Sequence, residues 1–134
     1  MILGYYSSMG LIPMEITLRN PLLPDLFSIT VQAQVDTNRM TMCIPESLVV
    51  RLKLEEAEKR EVTFADGSRK WVPYVGPIQT TFANRGSFCG AMVLGDTVLL
   101  GAIAMEDMDL VISPKHQRIE VNPDSPNFAQ AIVK

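Results

Sequence analysis

From Phe27 to Val35 apolar and polar side chains alternate with a period of two, and the run ends on a carboxylate. Phe27, Ile29, Val31, Ala33 and Val35 fall on one face, while Gln32, Gln34 and Asp36 fall on the other. Such alternation predicts a half-buried strand. A strand ends in buried surroundings, so an acid there is paired, hydrogen-bonded or held neutral. Asp36, followed at once by Thr37, is therefore the first place to look for chemistry.

The rest of the chain repeats this theme in short pieces. Met14 to Asn20 alternates in the same way, and the Pro-containing Asn20 to Asp25 reads as a loop, so a hairpin joins the first two strands. Met40 to Ile44 is a short strand. Pro45 opens a helix to about Leu52, since its missing N–H costs nothing in the first turn, and Leu48, Val49 and Leu52 form the buried stripe. The charged run Glu55 to Glu61 reads as a solvated linker. Val62 to Val72 is a hairpin around Asp66-Gly67, which supply the positive φ angles of a tight turn. Within it, Trp71 reads either as contact surface or as a core anchor. Tyr74 to Phe82 is a strand broken by Gly76-Pro77, and Phe88 to Leu94 is another. Thr97 to Leu100 enters Gly101 and a short helix, Ala102 to Met108, with Ile103 and Met105 facing the core. Val111-Ile112 and Arg118 to Val121 form a last hairpin. Many short strands with two small helices predict a mostly β, barrel-like domain, with no second domain and no repeat array.

The totals narrow the function. The 134 residues suit one domain over 1–134, its core about 14–121, with the tails placed at an interface. A net charge of −3 and no basic run longer than Arg69-Lys70 give no footing for nucleic acid. Cys43 and Cys89 lie far apart and His116 is the only histidine, so no Cys/His zinc set assembles and no cofactor is expected. The cysteines read as buried thiols of a cytoplasmic protein. Gly86 to Gly90 around Cys89, with His116 as base, is a nucleophile arrangement that lacks an orienting partner. No apolar run reaches membrane-span or signal-peptide length. Met1 and Met9 both remain as start residues.

Three motifs in order carry a family likeness: Val35-Asp36-Thr37, Ala65-Asp66-Gly67-Ser68 and Leu99-Leu100-Gly101. Together they resemble the retropepsin-like aspartic proteases over roughly Met14 to Val121. The resemblance implies a closed barrel of short strands with one or two short helices. It also implies a homodimer, since one chain offers one catalytic carboxylate, Asp36, and the reaction needs two sharing a proton. Asp96-Thr97 repeats the dipeptide but reads as a turn. Thr37 would bond across the two-fold axis, Asp66 and Gly67 would lie on a flap over bound peptide, and Leu100 and Gly101 would be structural.

The family motif continues with glycine and a small residue, whereas this chain has Asn38 and Arg39. Asn tolerates unusual φ and suits the turn, but its side chain occupies room beside a substrate. A guanidinium next to Asp36 favours the charged carboxylate, against a dyad that must keep one proton. Two functions follow: peptide-bond hydrolysis by an Asp36 dyad, or a catalytically silent dimeric peptide-binding or scaffold module.

Overall fold

A computed structural model describes residues 11–133. The choice between Met1 and Met9, and the expected place of the N-terminal tail, lie outside the described residues. The period-two segments form strands as expected. Strand β1 (Leu11–Arg19) starts three residues before Met14 because Ile12 continues the alternation and is buried like Met14, Ile16 and Leu18. It pairs antiparallel with β2 (Ile29–Asp36), from Leu11 opposite Asp36 to Leu18 opposite Ile29. Asn20, buried in the connection, donates to the carbonyls of Leu52 and Lys53 and accepts from the Leu22 amide. The loop is thereby fastened to the far end of helix α1 (Glu46–Arg51).

Beyond β2 lie β3 (Met42–Ile44), β4 (Glu55–Thr63), β5 (Arg69–Phe82), β6 (Arg85–Val93) and β7 (Val98–Leu100). The sheet order is β1-β2-β7-β3-β6-β5-β4, and β1 also pairs with β5 through Thr17–Thr81 to Arg19–Gln79. Six strands therefore close into a barrel, with β4 hanging from β5. Ile16, Leu18, Val35, Ile44, Ile78 and Leu100 fill its interior. Helix α2 (Ala102–Asp107) follows β7, and β8 (Leu110–Ser113) pairs with β9 (Arg118–Val121) as a separate ribbon, the last hairpin expected. Among the described residues no helix is long and apolar enough to cross a membrane.

Several expectations are corrected. Glu55 to Glu61 is strand, not linker: β4 pairs only with β5, both of its faces are largely exposed, and charges are tolerated there. Lys59 pairs with Glu56 at 3.1 Å, and Arg60 lies 3.6 Å over the Tyr74 ring. Phe27 precedes β2 and is exposed, so the buried face begins at Ile29. Tyr74 to Phe82 is not a separate strand, because β5 runs unbroken through the cis Gly76-Pro77 peptide while its registers to β6 and β4 slip beside it. In α2 it is Ala104 and Met105 that are buried, and Ile103 turns outward. Trp71 is exposed on the hairpin, which removes the core-anchor alternative.

The segment after β9 is tied back by Asp109. Its carboxylate accepts from the Ser125 hydroxyl, from Asn122 Nδ2 at 3.0 Å and from the Gln130 amide at 3.0 Å. Those donors, Ser125 first, hold the Asp109 carboxyl at about 2. Arg85, almost fully buried, donates to the Ser125 carbonyl, and Asn84 Nδ2 donates to that of Pro126 at 2.9 Å. This clasp had no signature in the sequence, since its bonded members lie 13 to 42 residues apart.

Candidate functional site

Asp36 closes β2 and begins a tight turn. The Asn38 amide donates to Asp36 Oδ1 at 3.0 Å, and the Arg39 amide donates to the Asp36 carbonyl at 3.1 Å. The carboxylate thus fixes its own turn, as Asp commonly does. Asn38 is not among the residues with positive φ, so its tolerance of unusual backbone is not called on. Thr37 and Asn38 are both exposed.

The turn is braced from the other motif. Strand β7 runs parallel to β2, with Val35 opposite Leu100. Gly101 then leads into α2, whose first amides have no partners inside the helix. The Ala102 amide donates to the Arg39 carbonyl at 2.8 Å, and the Ile103 amide to that of Met40 at 3.3 Å. A Cβ on residue 101 would lie 2.6 Å from the Met40 oxygen and 2.8 Å from that of Arg39, so only glycine fits this approach. Asp36, Arg39, Leu100 and Gly101 are in this way drawn into one unit.

On the Asp36 face, Gln34, Leu99 and Cys43 occupy paired positions across β2, β7 and β3. Paired residues share a face, and these three floor a cavity of about 580 Å³. Leu11, Phe64 and Arg39 stand around it, with Asp96 and Thr97 at the rim. Arg39 Nε lies 3.4 Å from Asp36 Oδ2, and Nη1 reaches Cys43 Sγ at 3.6 Å. The Nε atom is shielded from solvent and has no hydrogen-bond partner. Burial pushes the Cys43 thiol up, with the Arg39 guanidinium opposing.

No family model and no curated protein matches the chain.

The remaining expected site residues sit further out. Asp66 and Gly67 are at the tip of the β4–β5 hairpin. Asp66 Oδ1 accepts from the Ser68 amide at 2.8 Å and from its hydroxyl at 2.6 Å, which lowers the Asp66 pKa. Phe64 and Ser68 are paired through the Phe64 amide and the Ser68 carbonyl at 2.8 Å, and only Gly67 has positive φ. The turn is thus a three-residue loop, not the two-residue form with positive φ at both residues. Neither Asp66 nor Gly67 lines the cavity, but Phe64, which closes their loop, does, so the turn end of the hairpin reaches the Arg39 side. A second, larger hollow of about 1150 Å³ runs along Thr37, Phe88, Ile103 and the tail from Ala129 to Ile132.

The surroundings of Cys89 work against a nucleophilic thiolate. Burial, with Asp107 adding to it, pushes its thiol up to about 11, which keeps it protonated at neutral pH. His116 lies exposed in the β8–β9 turn. Among the described residues no three His, Cys, Asp or Glu side chains gather as metal ligands would. Of the cavity residues, Gln34 was legible as sharing the Asp36 face. Leu99 was legible as part of the Leu99-Leu100-Gly101 motif, whereas Cys43 and Phe64 carried no signal beyond lying in an expected strand and an expected hairpin.

Proposed function

We propose that the protein is a retropepsin-like aspartic peptidase homologue that works as a homodimer on peptide segments. The observation that carries this reading is the position of Asp36. It ends a barrel strand, is fixed by its own Asx turn, is braced by the Gly101 turn and lies 3.4 Å from Arg39, which lines a cavity of about 580 Å³. In a dimer the two Asp36 carboxylates would share one proton, because like charges so close do not both ionise. The ionised carboxylate takes a proton from water as it attacks the peptide carbonyl. The protonated one donates to the carbonyl oxygen.

Homodimerisation also has support in the hollow beside Thr37. Phe88 and Ile103 are exposed there at 65% and 49%, and Ile132 at 89%, an apolar concentration suited to a second copy.

A second reading is favoured by one contact, Arg39 Nε at 3.4 Å from Asp36 Oδ2. A cation this close stabilises the ionised carboxylate and opposes sharing of a proton. The groove then serves as a peptide-binding module with weak or absent hydrolysis.

Cleavage of a mixed peptide library by native protein, the Asn38→Gly/Arg39→Ala double variant and Asp36→Asn separates the two. The peptidase reading expects the double variant to exceed native protein near pH 5–6, and Asp36→Asn to abolish cleavage in both backgrounds. Native cleavage that survives Asp36→Asn sinks the aspartic mechanism. Absence of cleavage by every variant supports the binding module.

A further inference from the structure

We infer that Arg39 makes the cavity beside Asp36 selective for peptides bearing a carboxylate side chain. The inference deepens the proposed peptide groove and rests on that reading. Its ground is the condition of the guanidinium. Arginine carries five N–H donors in a planar fork matched to a carboxylate. Here Nη1 has only a thiol sulfur at 3.6 Å, the weakest of common acceptors. Nε is shielded from solvent and has no hydrogen bond, its contact with Asp36 Oδ2 being an ion contact at 3.4 Å. Nη2 makes no hydrogen bond to the described residues. A shielded cationic donor left without an acceptor is costly, and a ligand that supplies one recovers that cost on binding.

The walls fit such a ligand. Leu11, Phe64 and Leu99 accept an aliphatic stem, and about 580 Å³ exceeds the space one acidic side chain needs. Two carboxylates stand against an incoming anion, and both are partly answered. Asp36 Oδ1 is engaged by the Asn38 amide. Asp96 sits exposed in its turn with Oδ1 accepting from the Thr97 hydroxyl, where water screens it. Arg39, its side chain 36% exposed, is the one cation among the described residues lining the cavity, so it decides the preference. A carboxylate seated on the fork also competes with Asp36 for Arg39, so that binding of an acidic peptide loosens the contact at 3.4 Å.

The test measures binding, separately from cleavage. Fluorescein-labelled octapeptides of apolar residues with one central Glu, Gln or Lys are titrated into the full-length protein, and anisotropy is read. The Glu peptide binds about ten-fold more tightly than the Gln peptide, as one charge-assisted hydrogen bond implies. Arg39→Gln removes the difference, and Arg39→Glu turns the preference to Lys. Thermal melts of both variants establish that they are folded. Equal affinities in the native protein, a Glu preference that survives Arg39→Gln, or no binding of any peptide each overturn the inference. Cleavage is followed on the same peptides: selective binding without hydrolysis sinks the peptidase reading alone, and hydrolysis without Glu selectivity sinks the Arg39 role alone.

Discussion

Arg39 holds its Nε 3.4 Å from Asp36 Oδ2, while its own backbone carbonyl receives the Ala102 amide at 2.8 Å. One residue therefore bears on the carboxylate through its side chain and on the bracing turn through its backbone. Replacing the Arg39 side chain alters the first relation and leaves the second, which is why the two can be tested apart.

The bracing turn is tested at Gly101. An added methyl at this position lies 2.6 Å from the Met40 carbonyl oxygen, a backbone atom that has no rotamer to escape into. Gly101→Ala should destabilise the fold by about 1–3 kcal/mol, the usual cost of overpacking. Urea unfolding measures it. A variant as stable as native protein would mean that the Asp36 turn is not packed against α2 as described.

The tail clasp is tested by pH and by Asp109→Ala. Asp109 has a folded pKa lowered to about 2 from 3.8. A depressed carboxyl contributes stability that is fully present above the unfolded value and is lost as pH falls through the folded one. The segment from Asn122 to Gln130 should therefore stay docked at pH 5 and loosen between about pH 4 and pH 2. Asp109→Ala should loosen it at pH 7. Amide exchange at Ser125 and Gln130 reads both, and unchanged exchange in the variant would contradict the clasp.

Mobility of the β4–β5 hairpin follows from its isolation. β4 has a single neighbour and β5 only partly belongs to the closed barrel, whereas β2 is paired on both sides with Ala33 and Val35 fully buried. Backbone amides from Phe64 to Arg69 should exchange faster than those from Val31 to Val35, as a flap that admits peptide requires. Equal protection would make the hairpin a fixed surface feature.

The barrel was legible where one face is buried and the other wet. The alternation in β1 and β2 maps directly onto exposure, and the hairpin between them needed only the prolines of its loop. β4 was illegible for the opposite reason: with both faces exposed, its charges carry no period. Ile103 misled because apolar character predicts burial only on average, and here it faces a hollow beside Thr37. Asp36 and Gly101 were legible as motifs. The closeness of Arg39 to Asp36 was legible only as adjacency, since whether a side chain three residues on turns back depends on the turn. The Asp109 clasp brings together Arg85, Asn122, Ser125 and Gln130 by tertiary packing alone, which leaves no local pattern to read.

On the proposed reading, two copies of the chain bring their Asp36 residues together. A crystal structure of the full-length protein, with sedimentation at micromolar concentration to establish the solution state, tests it most directly. The expected result is a two-fold dimer with the Asp36 carboxylates about 3 Å apart, close enough to share a proton, and the hollow beside Thr37 covered by the second copy. A monomer, or a dimer that leaves the two Asp36 residues on separate outer faces, would contradict it and reduce Asp36 to a carboxylate that fixes its own turn.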